Sequence, residues 1–230
     1  MIVERFPQTA FQQNTRVVAC EATMRAICID PGESSPELVA YINDRGLTLQ
    51  AIALTHGHLD HIGGTAAMYE AFPEAEIIIH EGDAPLYYGL PRQPLMMGVP
   101  ESQLESLGLK FETPPQATRY WQHGETYEVG DLRFSVRHCP GHTPGHVVLA
   151  EENLAKVFVG DCLFYGSIGR TDLPGGDHEQ LLESIERNIM SLPDETVVYS
   201  GHGPETTVGR ERRQNPFLNG TYGMSRGRYV

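Results

Sequence analysis

The segment LTHGHLDHIGG places His56, His58, Asp60 and His61 within six residues, directly after the apolar run AIALT at 51–55. Imidazole and carboxylate are the groups that hold divalent first-row cations. At this chain's own His and Asp frequencies, a His-x-His-x-Asp-His string arises by chance about once in a thousand such sequences. Further candidates follow, each on a glycine-rich loop beside an apolar run: His142 and His146 in CPGHTPGH, Asp161 in VFVGDCLF and His202 in VVYSGHG. Glycine permits the sharp turns that let side chains from separate loops aim at a shared centre. Five of these six histidines and the two aspartates supply seven ligand groups. One catalytic zinc uses three protein ligands, so seven fit two ions better, with one carboxylate able to bridge them.

Two divalent ions about 3.5–4 Å apart lower the pKa of a shared water towards neutrality and stabilise charge developing on a carbonyl oxygen. Hydrolysis is the natural reaction, and no GxSxG nucleophile elbow competes for it. A thiolate is a good leaving group because free thiols have a pKa near about 8.5. A thioester therefore suits a site with no evident general acid beyond the ligands; lactones and activated esters suit it too.

The elements that must position these residues begin with TRVVAC (15–20) and RAICID (25–30), which read as a β-hairpin. Ser35 as N-cap and Pro36 at the first helical position predict a helix that Gly46 ends before the strand at 51–55. A helix from about His61 to Phe72 then leads to the apolar strand EIIIH (76–80). In such sheets, ligands gather beyond the carboxyl ends of strands, where the His56–His61 turn falls. From Thr126 a second strand set follows: TYEV, LRFSVRHC, HVVLA and KVFVG. Asp177 and Gln180 cap a helix from about His178 to Ser191, and VVYS (197–200) reads as the last strand. Strands and helices in two similar halves predict an α/β fold with two sheets face to face and helices outside, a four-layer αββα sandwich formed as one domain over 1–230.

Residues 84–122 break this rhythm. They are rich in Pro, Tyr and Met, with one short helical pattern near Glu101–Leu107. The segment reads as a lid or binding loop, with Tyr87, Tyr88, Met96, Met97, Tyr120 and Trp121 as an apolar pocket wall. The stretch 215–230 reads as a tail that is mobile or docks on a partner subunit.

Thirty acidic against 17 basic residues leave a formal charge of -13, which repels phosphate backbones and disfavours nucleic-acid partners. No apolar run has the length of a membrane helix. Glu4 and Pro7 stand where a secretory signal carries its apolar run, and Cys20, Cys28, Cys139 and Cys162 form no CxxC pair. Both features predict a cytoplasmic protein with free, buried thiols.

In this order, the motifs HGHLDH, GHTPGH, GDCLF and SGHG resemble the metallo-β-lactamase superfamily. The chain as a whole is similar to the short, single-domain branch of type II glyoxalases, the hydroxyacylglutathione hydrolases. CPGHTPGHVV, GRTDLPGGDHEQL and GHGPETTVGRERRQNPFL are the stretches most specific to that branch. The resemblance implies that His56, His58 and His142 hold one ion, that Asp60, His61 and His202 hold the other, and that Asp161 bridges both. Asp60 and Asp161 are then the carboxylates at the reacting centre. His146 and Asp30 orient ligands from outside, and Arg170 binds a glutathione carboxylate. The implied substrate is S-lactoylglutathione, giving D-lactate and glutathione in methylglyoxal detoxification.

Zinc is the first expectation for the metal, and the imidazole and carboxylate set suits iron or manganese as well. The longer glyoxalases differ from this chain. They carry a helical C-terminal domain for which too few residues follow His202, and tyrosines where Asp172 and Pro204 stand here. Arg170 also has Asp172 within reach as an ion-pair partner. His80, His123, His138 and His178 match no ligand position. Three alternatives stay open: a glutathione persulfide dioxygenase with one iron, a lactonase or β-lactamase, and a binding module whose ions only hold loops together.

Overall fold

The computed structural model describes residues 1–220, which separate into two units: residues 1–121 with 128–132, and residues 122–127 with those described from 133 on. In the first, the expected hairpin forms from β2 (Gln13–Ala19) and β3 (Arg25–Ile29), and it gains an edge strand, β1 (Ile2–Gln8), with Ile2 opposite Ala19 and Gln8 opposite Gln13. Sequence reading missed β1 because IVERFPQ carries Glu4, Arg5 and Pro7. A sheet edge tolerates such residues, since one side of the strand donates to no ladder. The sheet continues in parallel through β4 (Thr48–Ala53), β5 (Glu76–Ile79) and β6 (Arg119–Tyr120).

The crossover helix α1 (Pro36–Asp44) starts as expected: Ser35 Oγ accepts from Leu38 N at 3.2 Å, and Gly46 leaves with φ +63. Leu38 and Ile42 bury its apolar face in a core with Ile52, Leu54, Ile62 and Ile77.

The helix anticipated over 61–72 is two helices, α2 (Leu59–Ile62) and α3 (Thr65–Ala71). Gly63 and Gly64 separate them because another loop passes against their backbone. A Cβ on Gly63 would lie 2.5 Å from Gly32 O, and one on Gly64 2.2 Å from Glu33 O. Gly64 N also donates to Pro31 O at 2.9 Å.

Residues 84–122 contain α4 (Ala84–Tyr88) and α5 (Gln93–Met96), while the pattern near 101–107 forms only a 3-10 turn at Glu101–Gln103. Tyr87 and Trp121 are fully buried: Tyr87 Oη donates to Pro115 O at 2.8 Å, and Trp121 Nε1 to Leu54 O at 3.1 Å. Met96 and Met97 are exposed.

The second sheet runs in the order β14-β13-β10-β9-β8-β7, from β7 (Thr126–Val129), β8 (Leu132–His138), β9 (Val147–Glu151) and β10 (Lys156–Gly160) to β13 (Val197–Ser200) and β14 (Thr206–Thr207). A short hairpin, β11 (Leu163–Phe164) with β12 (Ser167–Ile168), follows β10. Helix α6 (His178–Asn188) starts where Asp177 Oδ1 accepts from Gln180 N at 3.0 Å, and it buries Leu181 and Ile185.

A last helix, α7 (Val208–Gln214), was not visible in the sequence because VGRERRQ has no apolar period. A buried charge anchors it instead. Glu211 is fully buried and accepts from Thr206 Oγ1 at 2.6 Å, Gly166 N at 2.9 Å and Asn215 Nδ2 at 2.9 Å.

All four cysteines are free and buried. Of the expected tail, residues 221–230 lie outside the described residues, while Phe217 and Leu218 pack on the core of the second unit. Among the described residues no helix is long and apolar enough to cross a membrane.

Candidate metal centre

In the first unit, β4 ends at Ala53 and the chain turns through Thr55–His58 into α2, bringing four expected ligands together. The His56 ring lies 4.9 Å from that of His58 and 4.1 Å from that of His61, centroid to centroid. His61 Nε2 is 3.8 Å from Asp60 Oδ2.

Asp30, at the end of β3, governs this turn from a left-handed backbone (φ +52) while fully within the core. Its Oδ1 accepts from Thr55 N at 2.7 Å, and its Oδ2 accepts from Thr55 Oγ1 at 2.6 Å and faces His61 Nδ1 at 2.9 Å. A carboxylate beside His61 Nδ1 fixes the proton there, so the ring's lone pair lies on Nε2. Thr55 spends its hydroxyl proton on Asp30, so its oxygen accepts from His56 Nδ1 at 3.1 Å, and His56 presents Nε2 in the same way. Asp30, His56 and His61 offer ligand atoms within 4.8 Å of one another. The hydrogen bonds that Asp30 accepts make it the residue that orients the rings.

In the second unit, β10 ends in Gly160 (φ +47) and delivers Asp161. Asp161 Oδ2 lies 3.7 Å from His142 Nε2 and 3.6 Å from His202 Nε2. His142 Nδ1 donates to Arg170 O at 2.7 Å, again placing the ring's lone pair on Nε2. Gly169 is required here: a Cβ on it would lie 2.0 Å from Asp161 O and 3.0 Å from His142 Nδ1.

His146 is fully buried, and its Nε2 accepts from Asp161 N at 3.1 Å, so its proton sits on Nδ1, 3.3 Å from Cys162 Sγ. It grips the backbone of Asp161. Burial holds the Cys162 thiol well above its ordinary pKa, so it stays neutral there.

The imidazole–carboxylate separations of 3.6, 3.7 and 3.8 Å exceed hydrogen-bond length. Two ligands at the usual 2.0–2.1 Å from a tetrahedral zinc sit about 3.3 Å apart, so these pairs are spaced, to within about half an ångström, as they would be around a cation. Nitrogen and carboxylate donors of this kind fit zinc, iron or manganese alike.

Arg170 is exposed and pairs bidentately with Asp172, Nε to Oδ1 at 2.7 Å and Nη2 to Oδ2 at 2.8 Å. The guanidinium pulls the Asp172 carboxyl down to about 2. The histidines that matched no ligand position have ordinary contacts. His80 accepts from Gly82 N, His123 Nδ1 from His138 N, and His138 Nε2 meets Pro144 O, while His178 opens α6. Sequence reasoning missed Thr55, Asp83 and Gln93. The last two reach the His56–His61 turn from residues that are remote in sequence, and no local pattern marks them.

A profile described as the metallo-beta-lactamase superfamily matches residues 9–202. GloC of Haemophilus influenzae, a hydroxyacylglutathione hydrolase, is 38% identical over 219 residues, covering 95% of this chain and 99% of its own. Among solved structures, the B3 metallo-β-lactamase BLEG-1 superposes with a TM-score of 0.80 at 36% identity, over 94% of this chain and 99% of its own. TTHA1623, solved in a di-iron-bound form, gives a TM-score of 0.79 at 39% identity, over 94% and 100%. The α/β class anticipated from the order of strands and helices is the one these proteins share.

Proposed function

The chain belongs to the metallo-β-lactamase superfamily and has its fold, and from that premise we propose that it is a dinuclear metal-dependent thioester hydrolase converting S-lactoylglutathione to D-lactate and glutathione. The observation that carries the metal centre is the fixing of His56, His61 and His142 through Nδ1, so that three rings present Nε2, together with Asp161 Oδ2 set between His142 and His202 within the second unit. The substrate assignment is supported by the likeness to GloC across nearly the whole chain.

In this reading His56, His58 and His142 would hold one ion, Asp60, His61 and His202 would hold the other, and Asp161 would serve both. The superfamily match includes all seven positions, which supports treating 1–230 as one metallo-β-lactamase domain. When bound, such a pair of ions supplies an acidified water and polarises the scissile carbonyl. The protein's own part is positioning. Asp30 holds His61 and, through Thr55, His56; His146 holds the backbone of Asp161; the Arg170 carbonyl holds His142. The departing group is a thiolate, so no side chain has to protonate it.

Metal analysis paired with a hydrolysis assay under nitrogen tests this reading. About two metal equivalents per chain are expected, with turnover of S-lactoylglutathione that needs no oxygen, stops on chelation, and returns with zinc, iron or manganese. Turnover of glutathione persulfide that consumes oxygen at one iron would replace the hydrolase with a dioxygenase. The likeness to BLEG-1 favours a second hydrolytic reading, β-lactam opening, which nitrocefin turnover exceeding that of the thioester would establish.

Arg170 is the residue assigned to a carboxylate of the glutathione moiety, and in the protein alone it already holds Asp172. A substrate carboxylate must take that place. Arg170→Ala is expected to raise KM for the glutathione thioester about fivefold to tenfold with kcat little changed, while Asp172→Asn, which releases the guanidinium, lowers KM. Steady-state kinetics on both variants checks this; equal KM values across wild type and variants would remove Arg170 from the substrate site.

A further inference from the structure

We propose that Gln93, assisted by Asp83, is a positioning residue for metal binding: a clamp from the 84–122 segment that sets the backbone carrying His56 and His58. The proposal rests on the reading of those two histidines as ligands. Between them stands Gly57, and both of its backbone polar groups are held by side chains remote in sequence, Asp83 just before that segment and Gln93 within it. Gly57 N donates to Asp83 Oδ2 at 2.8 Å, and Gly57 O accepts from Gln93 Nε2 at 2.7 Å. Gln93 Oε1 then accepts from Leu59 N at 3.0 Å, and its second amide proton goes to Leu86 O at 3.0 Å.

One planar amide therefore spans the peptide groups on both sides of His58. Leu59 opens the four-residue helix α2, where no intrahelical acceptor exists for its N–H, and the His58 side chain makes no cap. Gln93 supplies the missing acceptor.

The clamp is buried and close-fitting. Asp83 is fully buried and Gln93 is 7% exposed. The fit leaves Gly57 no room for a side chain, since a Cβ there would lie 2.7 Å from Leu86 Cβ and 3.1 Å from Asp83 O. Burial in low dielectric strengthens these bonds and makes their loss costly. A turn with its carbonyl and two amides fixed cannot rotate its peptides, so the directions in which His56 and His58 leave the backbone are fixed before any ion arrives. That pre-organisation lowers the ordering cost of binding, as outer partners do at metal sites generally. The segment that reads in the sequence as a lid thus has the task of holding the metal turn.

The test is zinc affinity of the full chain, read by competition with a chromophoric chelator, alongside the melting temperature of the metal-free protein. Gln93→Leu removes all three hydrogen bonds at similar volume and is expected to lower zinc affinity about tenfold to a hundredfold. Gln93→Glu keeps the acceptor for Leu59 N and loses both donors; a smaller loss of affinity is expected, and it serves if the leucine variant does not fold. Tyr87→Phe is the control, because it removes the bond to Pro115 O within the same segment without touching the turn. It should lower the melting temperature and leave zinc affinity within about twofold of wild type.

Wild-type affinity in both Gln93 variants, or a loss in Tyr87→Phe matching theirs, overturns the clamp. If His58→Ala binds zinc as wild type does, the ligand reading fails first and the clamp with it, an outcome distinct from a clamp that fails on a working metal site.

Discussion

Asp161→Ala is expected to reduce kcat/KM for thioester hydrolysis by about 10³-fold or more, which corresponds to about 4 kcal/mol of transition-state stabilisation. Its Oδ2 lies 3.7 Å from His142 Nε2 and 3.6 Å from His202 Nε2, close to two expected ligands at once. Its backbone is fixed as firmly as its carboxylate is placed, by the hydrogen bond to His146 Nε2 and by the close pass of Gly169. Asp161→Asn keeps the volume but loses the charge that a carboxylate shares between two cations, so metal content should fall from about two equivalents towards one while the melting temperature of the metal-free protein holds. Kinetics and metal analysis on the same preparations check both statements. Wild-type turnover in the asparagine variant would take Asp161 out of the reacting centre.

The second large effect falls on the fold itself. Asp30→Ala should destabilise the protein by about 3–5 kcal/mol, because it removes the acceptor from three buried donors at once: Thr55 N, Thr55 Oγ1 and His61 Nδ1. It also places alanine at φ +52, a conformation that aspartate and asparagine tolerate better, adding about 1 kcal/mol. Asp30→Asn separates the two roles of the residue. Asparagine keeps the left-handed backbone and an oxygen for Thr55 N, so most of the stability is retained. Its amide, however, turns a donor towards His61 Nδ1, which drives the ring proton to Nε2, the ligating atom. Zinc affinity should fall about tenfold or more in a protein that melts within several degrees of wild type. Denaturant unfolding of the metal-free variants with chelator competition measures both, and equal zinc affinity in Asp30→Asn and wild type would show that Asp30 serves stability alone.

Several features were legible along the chain because their causes are local. The capping of α1 by Ser35 and of α6 by Asp177 needs only a side chain and an amide three residues on. The apolar runs that became β3, β4, β5 and β10 announce their own burial. Missed elements depend on partners far away in sequence. The break between α2 and α3 exists because residues 32 and 33 press on Gly63 and Gly64. Strand β1 is held by pairing with β2, and α7 by the partners of one buried glutamate.

The same division runs through the candidate site. The kind of donor, imidazole and carboxylate crowded after an apolar strand, was legible from residue type and spacing alone, since side-chain chemistry does not depend on fold. Which nitrogen each ring presents was decided only by tertiary structure. Tautomers follow hydrogen bonds, and the partners of His56, His61, His142 and His146 are Thr55, Asp30, the Arg170 carbonyl and the Asp161 amide. Of these, only the Thr55–His56 contact joins chain neighbours. Likewise, Gln93 carries no mark of function in the sequence, because a glutamine becomes a clamp only when folding brings it beneath the peptide groups of Gly57 and Leu59.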